Sequence, residues 1–424
     1  MIHLASSFKF HPVGFGLFTS GKIGNFRFVY DCGSKSKACV NNCIESEFPE
    51  LERISLDLLS ISHFHFDHIS GLKKLLGSVE KIDTIILPYY TPRERLIYIL
   101  VLTNNSGDFI PDGWEFDFLK DPVGYLITNF NERIGKIILI KGGNDYLEDN
   151  TKQNNNSDKV IPDQELENLE IDFDELEDSD ENQQIKKDEG IESSKVYVKE
   201  YGSVKLRTSN SIPIWQFVFY YPPLTEKTIL YFNQILAKAK LNSINAKSDL
   251  ERIVNDVIFD RIAKKTKMHG KDINNTSLTL YHSPLWKHEL FAWPLLVCLF
   301  NNSPFHIHRF IPINYSSAKG FFYSGDIDLN KYHVVLGKYY NRLLDQICVF
   351  QVPHHGSIEN WKPSISNRNQ GAFHIVSSKL SNNRRLHPNP KILHSIAANN
   401  GLFFWCNESN MIEIEFVLAN SIDK

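Results

Sequence analysis

A short run of histidine and aspartate residues constrains this chain more than any other feature of its sequence. The run His63-Phe64-His65-Phe66-Asp67-His68 places three imidazoles and one carboxylate within six residues. The apolar stretch 56–62 directly before it predicts a short buried strand. Because α/β proteins build their sites where strands end, this pattern predicts a metal-binding site rather than a part of the hydrophobic core.

The residue types also indicate which metal would bind and how it would be used. Imidazole and carboxylate ligands together suit zinc or manganese. The six cysteines are scattered along the chain, and we interpret them as free thiols rather than as a structural zinc site or a disulfide scaffold. We therefore expect one or two zinc or manganese ions that activate a water molecule for hydrolysis.

The pattern H-x-H-x-D-H, followed by a small residue and a glycine, resembles the signature of hydrolases with the metallo-β-lactamase fold. Further segments that resemble this family follow in the family's order. They are the strand that ends in Asp31-Cys32-Gly33, the strand that ends in Ser324-Gly325-Asp326, the segment Pro353-His354-His355-Gly356-Ser357 and the segment Arg385-Leu386-His387-Pro388. The resemblance implies an α/β fold, a four-layer αββα metallo-β-lactamase sandwich that here carries acidic and helical insertions.

The later segments are most similar to the hydrolase domain of competence-type DNA-uptake channel proteins. This resemblance covers roughly residues 8–140 and 200–415, and the channel's membrane helices are absent. The chain departs from the pattern where many family members carry a further histidine, because Asn274 and Asn275 stand there. His269 and His282 are near this place but out of register.

The resemblance implies a role for each matching residue. The implied metal ligands are His63, His65, Asp67, His68, Asp326 and His354, with Asp326 as the bridging ligand. The implied catalytic residues are Asp67, which would orient the attacking water, and His355 and His387, each as a ligand or a general acid. Asp31 would support the site through hydrogen bonds. Neighbouring side chains leave an extended chain in opposite directions, so only one of His354 and His355 would reach the metals unless the backbone turns at Gly356.

Charge is distributed unevenly along the chain. Residues 144–192 contain 18 acidic and 4 basic side chains, which gives this stretch a net charge of −14. Because the whole chain has a net charge of −4, the remaining residues carry +10. A basic body suits an anionic substrate such as nucleic acid. The acidic stretch has too little apolar surface to offset the entropy of ordering the chain, and we predict a disordered or loosely ordered insertion.

We divide the chain into four parts on these grounds. They are the first half of the sandwich domain (1–143), an acidic low-complexity insertion (144–195), strands with a helical insert (196–274) and the second half of the domain (275–424). Within the insert 226–268, apolar positions from Leu250 to Ile262 fall on one helical face. The acidic segment is either a solvated linker or a docking segment for a basic partner, and the helical insert is a second candidate for binding a protein partner.

No run of the sequence approaches the length of a membrane span, and the start lacks the features of a signal peptide. We therefore predict a cytoplasmic protein with no membrane partner. Three functions remain open. The first is a metal-dependent phosphodiesterase or nuclease that acts on DNA. The second is a hydrolase of a small molecule, such as a cyclic nucleotide, an ester or a lactone. The third is a weakly active metal-binding subunit of a larger complex.

Overall fold

The structure is a computed structural model of the 424-residue chain. It describes residues 3–105, 113–143, 169–173, 179–200, 202–238, 244–255, 277–285, 295–300, 309–310, 320–368, 371–380 and 387–419. Asn274, Asn275, His269 and the arginines at 384 and 385 lie outside the described residues. Everything that follows concerns the described part of the chain.

The strands, in chain order, are β1 (His3–Phe10), β2 (Phe18–Ile23), β3 (Phe26–Cys32), β4 (Leu56–Ser60), β5 (Ile82–Pro88), β6 (Ile134–Ile140), β7 (Glu170–Phe173), β8 (Val196–Lys199), β9 (Gly202–Arg207), β10 (Pro213–Tyr220), β11 (Thr279–Pro284), β12 (Leu295–Phe300), β13 (Arg309–Phe310), β14 (Gly320–Tyr323), β15 (Ile347–Gln351), β16 (Phe373–Ser377), β17 (Leu402–Cys406) and β18 (Asn410–Ala419).

The α-helices are α1 (Lys37–Glu47), α2 (Phe66–Ile69), α3 (Leu72–Ser78), α4 (Pro92–Asn105), α5 (Trp114–Lys120), α6 (Pro122–Phe130), α7 (Asp180–Asp188), α8 (Glu226–Lys238), α9 (Lys247–Val254), α10 (Leu329–Tyr340), α11 (Pro363–Arg368) and α12 (Pro390–Ala398). Short 3-10 turns occupy Glu50–Glu52, Asn131–Arg133, Asn341–Gln346 and His354–Gly356. None of the described helices is both long and apolar enough to cross a membrane.

The described strands form two mixed sheets. The first has the order β13-β12-β18-β1-β2-β3-β4-β5-β6-β8, and the second has the order β17-β16-β15-β14-β11-β10-β9-β7. Strands β3 to β6 and β8 are parallel, as are β14 to β17, whereas the other pairs are antiparallel. Two mixed sheets flanked by helices confirm the predicted α/β class and are consistent with a metallo-β-lactamase sandwich.

Large aromatic side chains hold the two sheets together. Phe8 and Phe28 of the first sheet contact Phe217, His282 and Phe321 of the second, with ring centres 4.3–5.2 Å apart. All five are fully buried, and stacked or tilted aromatic rings bury much apolar area at a fixed spacing. The second sheet uses its other face to pack against α10 and α12, whose apolar side chains form a separate buried cluster.

The apolar alternation over 196–206 predicts a single strand, but the structure contains two strands in this region. β8 pairs with β6 in the first sheet, whereas β9 pairs with β10 in the second. The chain therefore crosses from one sheet to the other after Lys199. Alternation of apolar side chains continues through both strands and carries no signal of the crossing, because each strand buries one face against the same interior.

The described parts of the acidic stretch are more ordered than its composition predicted. Residues 170–173 form β7, which pairs with β9, and Asp180–Asp188 form α7. Glu189, at the end of α7, is buried and pairs with Arg95 of α4, with 2.5 Å between Nη2 and Oε2. The expectation of disorder is therefore wrong for these residues, because a few apolar contacts and one buried ion pair fix them. The four-part division of the chain stays a prediction.

Candidate metal centre

The predicted site residues meet at one edge of the sandwich, where parallel strands of both sheets end. Asp31 is at the end of β3, and the His/Asp run follows β4. Asp326 follows β14, and the pair His354 and His355 follows β15. Since the ends of the two sheets face each other across the core, residues separated by almost 300 positions come into contact.

The His/Asp run changes direction directly after β4. His63 and His65 lie in the loop, and His65 is the N-cap of the single-turn helix α2, which carries Asp67 and His68. The turn is closed by backbone hydrogen bonds from His68 and Ile69 to the carbonyl of His65. This change from loop to helix brings the side chains of His63, His65, Asp67 and His68, the predicted metal ligands of the run, toward the same space.

Two groups of three side chains have the spacing of metal sites. In the first, His63, His65 and Asp326 offer donor atoms that all lie within 4.8 Å of one another. In the second, the same limit holds for Asp67, His68 and His355. The two groups adjoin, because Asp326 Oδ1 lies 3.3 Å from His68 Nε2 while its Oδ2 lies 3.9 Å from His63 Nε2.

Asp31 supports both groups through hydrogen bonds. Its carboxylate accepts hydrogen bonds from the backbone N–H and the hydroxyl of Ser62, both at 2.6 Å, and from His68 Nδ1 at 2.8 Å. Because the Ser62 hydroxyl gives its proton to Asp31, it accepts the proton of His63 Nδ1 at 2.9 Å. In both rings Nδ1 carries a proton, so Nε2 is the nitrogen that faces the site and could bind a metal.

The backbone turn after β15 decides which histidine reaches the second group. His354 and His355 both have positive φ, at 49° and 56°, and the turn therefore begins before Gly356. His355 Nδ1 donates to the carbonyl of Ser377 at 2.9 Å, and its Nε2 lies 3.2 Å from Asp67 Oδ2. The geometry thus favours His355 over His354 as a ligand beside Asp67 and His68.

His354 and His387 lie beside the groups rather than within them. His354 Nε2 is 3.9 Å from Asp326 Oδ2, its Nδ1 is 2.9 Å from Asn360 Oδ1, and its side chain keeps 24% of its surface exposed. The ring of His387 stacks near that of His354, with 6.4 Å between the centres. Both imidazoles are partly exposed, and neither belongs to one of the two donor groups.

Charge states in the two groups suit metal binding. Burial, with the charges of neighbouring histidines, lowers the pKa of His63, and burial lowers the pKa of His65 to about 4. Burial alone would raise the pKa of Asp67 and Asp326, but nearby imidazoles outweigh it and hold both values below the ordinary range. At neutral pH, His63 and His65 are therefore neutral while Asp67 and Asp326 are ionised, which are the forms that bind metal. Burial alone would lower the pKa of His68, but the carboxylates of Asp326 and Asp31 outweigh it and raise that pKa, so His68 would give up its proton on binding a metal.

The donor atoms themselves test whether a metal ion fits. Nε2 of His63 and Nε2 of His65 are buried and make no hydrogen bond within the described residues. Nε2 of His68 is buried without a well-aligned hydrogen bond, although it faces a carboxylate oxygen. Buried polar atoms normally have partners, so three imidazole nitrogens aimed at two carboxylates form an environment that a divalent cation would complete.

Comparisons with known proteins do not identify the activity of this chain. No family model matches the sequence, and no curated protein matches it. Among solved structures, the metallo-β-lactamase fold protein YhfI from Bacillus subtilis aligns at 18% identity with a TM-score of 0.17. The alignment covers 26% of this chain and 47% of that protein, which is less than half of its length. The site geometry therefore carries the functional argument.

Three residues of the centre were missed by the sequence analysis. Ser62 bridges Asp31 and His63, as described above. Ser277 accepts the backbone N–H of Asp326 at 2.9 Å, and Asn360 donates to the carbonyl of Asp326 at 2.9 Å. Ser62 directly precedes the His/Asp run, and Ser277 lies in the segment 275–280, which also resembles the family. Both positions are usable signals, whereas Asn360 has no motif around it.

Proposed function

We propose that this protein is a metal-dependent hydrolase that cleaves phosphodiester bonds, with DNA as its substrate. The observation that carries the proposal is the pair of adjoining donor groups with buried, unpartnered imidazole nitrogens. The first group, His63, His65 and Asp326, would hold one divalent ion, and the second, Asp67, His68 and His355, would hold another. Three protein ligands and an open position are typical of catalytic sites, whereas structural zinc sites have four protein ligands.

When bound, two divalent ions supply an activated water and stabilise negative charge on the substrate. The protein side chains do the rest. Asp67 is ionised and would orient the attacking water, and Asp31 keeps His68 in the tautomer that faces the site. His354 and His387 lie at the solvent side of the centre and would donate a proton to the leaving oxygen.

Charge favours a phosphodiester over a neutral ester as substrate. The chain outside the acidic stretch carries a net charge of +10. A basic surface raises the local concentration of an anionic substrate and its rate of association. DNA satisfies this requirement, and it agrees with the resemblance to DNA-uptake hydrolase domains.

The test is cleavage of labelled single- and double-stranded DNA with Mn²⁺ or Zn²⁺, beside the small diester bis(4-nitrophenyl) phosphate. We expect the native protein to cleave DNA, Asp67→Ala to be inactive, and His394→Ala, which alters an exposed histidine outside the centre, to match the native protein. Cleavage of the small diester without DNA would restrict the proposal to small phosphodiesters. No cleavage of either by metal-loaded protein would overturn it.

A further inference from the structure

Two loops beside the second donor group are hydrogen-bonded to each other and to the backbone of the His/Asp run. The first loop, 13–17, and the second, 33–36, are joined by hydrogen bonds from Lys35 N to Phe15 O at 2.8 Å and from Gly33 N to Leu17 O at 3.0 Å. Leu17 N also donates to the carbonyl of Asp67 at 3.1 Å. The loops therefore form a fixed wall of the centre.

Close backbone packing makes this wall rigid. A Cβ atom on Gly33 would lie 2.4 Å from the backbone of His68, and one on Gly16 would lie 2.3 Å from the carbonyl of Gly33. The hydroxyl of Ser34 donates to the carbonyl of Val13 at 2.6 Å. Only glycine permits such approach, so the backbone from which Phe15 and Lys35 project is fixed relative to Asp67.

Phe15 and Lys35 are the side chains that the wall presents at the opening. The Phe15 ring meets His355 edge-on at 5.5 Å and His387 edge-on at 6.3 Å between ring centres. Lys35 Nζ lies 5.5 Å from the centre of the same ring. Lys35 is exposed, and its charge acts on the nearby carboxylate of Asp67. A cation held over an aromatic ring beside the ligands is available to an incoming anion.

We propose that Lys35 binds a phosphate oxygen of the substrate and that Phe15 positions its ammonium group for this contact. The proposal rests on the proposed function, because it assigns the anion-binding residue of that same site. Lysine is a common phosphate ligand that acts as a point charge. Its contact with the substrate would fix the diester beside His355 and Asp67, and it would select anionic over neutral substrates.

The first test measures binding without catalysis. Binding of a fluorescent single-stranded oligonucleotide is followed by anisotropy in EDTA at several salt concentrations. Each phosphate contact contributes about 0.7 to the slope of log affinity against log salt. We expect Lys35→Met to lose about that amount, Lys35→Arg to retain it, and Lys22→Met to behave as native. Lys22 is a matched control, since it is exposed and lies at the other end of β2 from this wall.

The second test measures hydrolysis with metal present. For bis(4-nitrophenyl) phosphate we expect Lys35→Met to raise KM about tenfold with a smaller change in kcat, and Lys35→Arg to restore most of KM. If Lys35→Met has the native salt slope and the native KM, the proposed role of Lys35 is wrong. Cleavage of the diester by the native protein would still support the proposed function in that case. Equal changes in salt slope and KM in Lys35→Met and Lys35→Arg would also overturn the role of Lys35, because an effect that does not depend on the positive charge indicates a structural role. If native protein cleaves no diester, the proposed function fails, and the oligonucleotide arm still decides whether Lys35 binds phosphate.

Discussion

At the residue scale, local spacing made most of the centre predictable. Four of its side chains lie in one run, so the sequence placed them together without knowledge of the fold. Asp326 was found through its Ser-Gly-Asp context after a strand. The choice between His354 and His355 could not be made from sequence, because it depends on positive φ at both residues. Two neighbouring non-glycine residues rarely adopt this conformation.

The first prediction separates these two histidines. His355→Ala should lose about one equivalent of bound metal and reduce phosphodiester hydrolysis about 100-fold or more, because it removes one of three donors from the second group. His354→Ala should keep the native metal content and lose only rate. Metal content is measured by mass spectrometry after gel filtration. Loss of metal in His354→Ala and not in His355→Ala would reverse the assignment.

Asp31 yields a second prediction at this scale. Asp31→Asn replaces the acceptor of the His68 Nδ1–H by an amide, which should weaken metal binding about 10- to 100-fold. Asp57→Asn is the matched control, since Asp57 accepts a backbone N–H from Arg27 outside the centre. Metal affinity is measured by competition with a chelating dye. Equal affinities in Asp31→Asn and native protein would show that Asp31 does not act through His68.

At the element scale, the structure differs from the expectation based on composition, because a single buried ion pair orders part of the acidic stretch. The acidic stretch was predicted to be disordered from its average charge. Glu189 nevertheless folds against the body, because its partner Arg95 is supplied by α4, 94 positions earlier. Tyr89 adds a hydrogen bond to the same carboxylate at 3.2 Å. A pairing over such a separation leaves no trace in local composition.

Removing this pairing should destabilise the protein. Glu189→Gln leaves the Arg95 guanidinium buried without its counter-charge, which should lower the free energy of unfolding by about 3–5 kcal/mol. Glu181→Gln is the control, because Glu181 is 67% exposed and pairs with Lys141 at the surface; a change under about 1 kcal/mol is expected there. Urea unfolding measures both. Similar values for the two variants would contradict the role of the buried pair.

A second prediction at the element scale concerns acid stability. His374 of β16 is fully buried, and burial lowers its pKa from 6.5 to about 4. The unfolded chain therefore takes up a proton at a pH where the folded protein does not. The contribution of neutral His374 to the free energy of unfolding is therefore fully present above pH 6.5, and it is lost as the pH falls toward 4.

His374→Leu should remove this contribution to acid sensitivity. Between pH 7.5 and pH 5, the free energy of unfolding should fall by about 2 kcal/mol less in the variant than in the native protein. Urea unfolding at the two pH values measures the difference. His394→Ala, at an exposed position, should show the native pH dependence. An unchanged pH dependence in His374→Leu would show that His374 is protonated in the folded protein.

At the scale of the whole molecule, the two-sheet sandwich explains why the centre is assembled only on folding. The first sheet contributes Asp31 and the His/Asp run, and the second contributes Asp326 and His355. The resemblance to the metallo-β-lactamase fold implied the layers, and apolar runs predicted the strands that precede the site residues. They could not predict that β8 and β9 belong to different sheets, since both alternate against one interior. They also gave no sign of the wall formed by loops 13–17 and 33–36.

We propose that the two halves of the chain together build a centre for two divalent ions. Calorimetric titration of metal-free protein with Zn²⁺ and with Mn²⁺ measures the stoichiometry, with His63→Ala and His355→Ala titrated in parallel. We expect two equivalents bound by native protein and one lost in each variant. Absence of stoichiometric binding in native protein, or two equivalents retained in both variants, would contradict it.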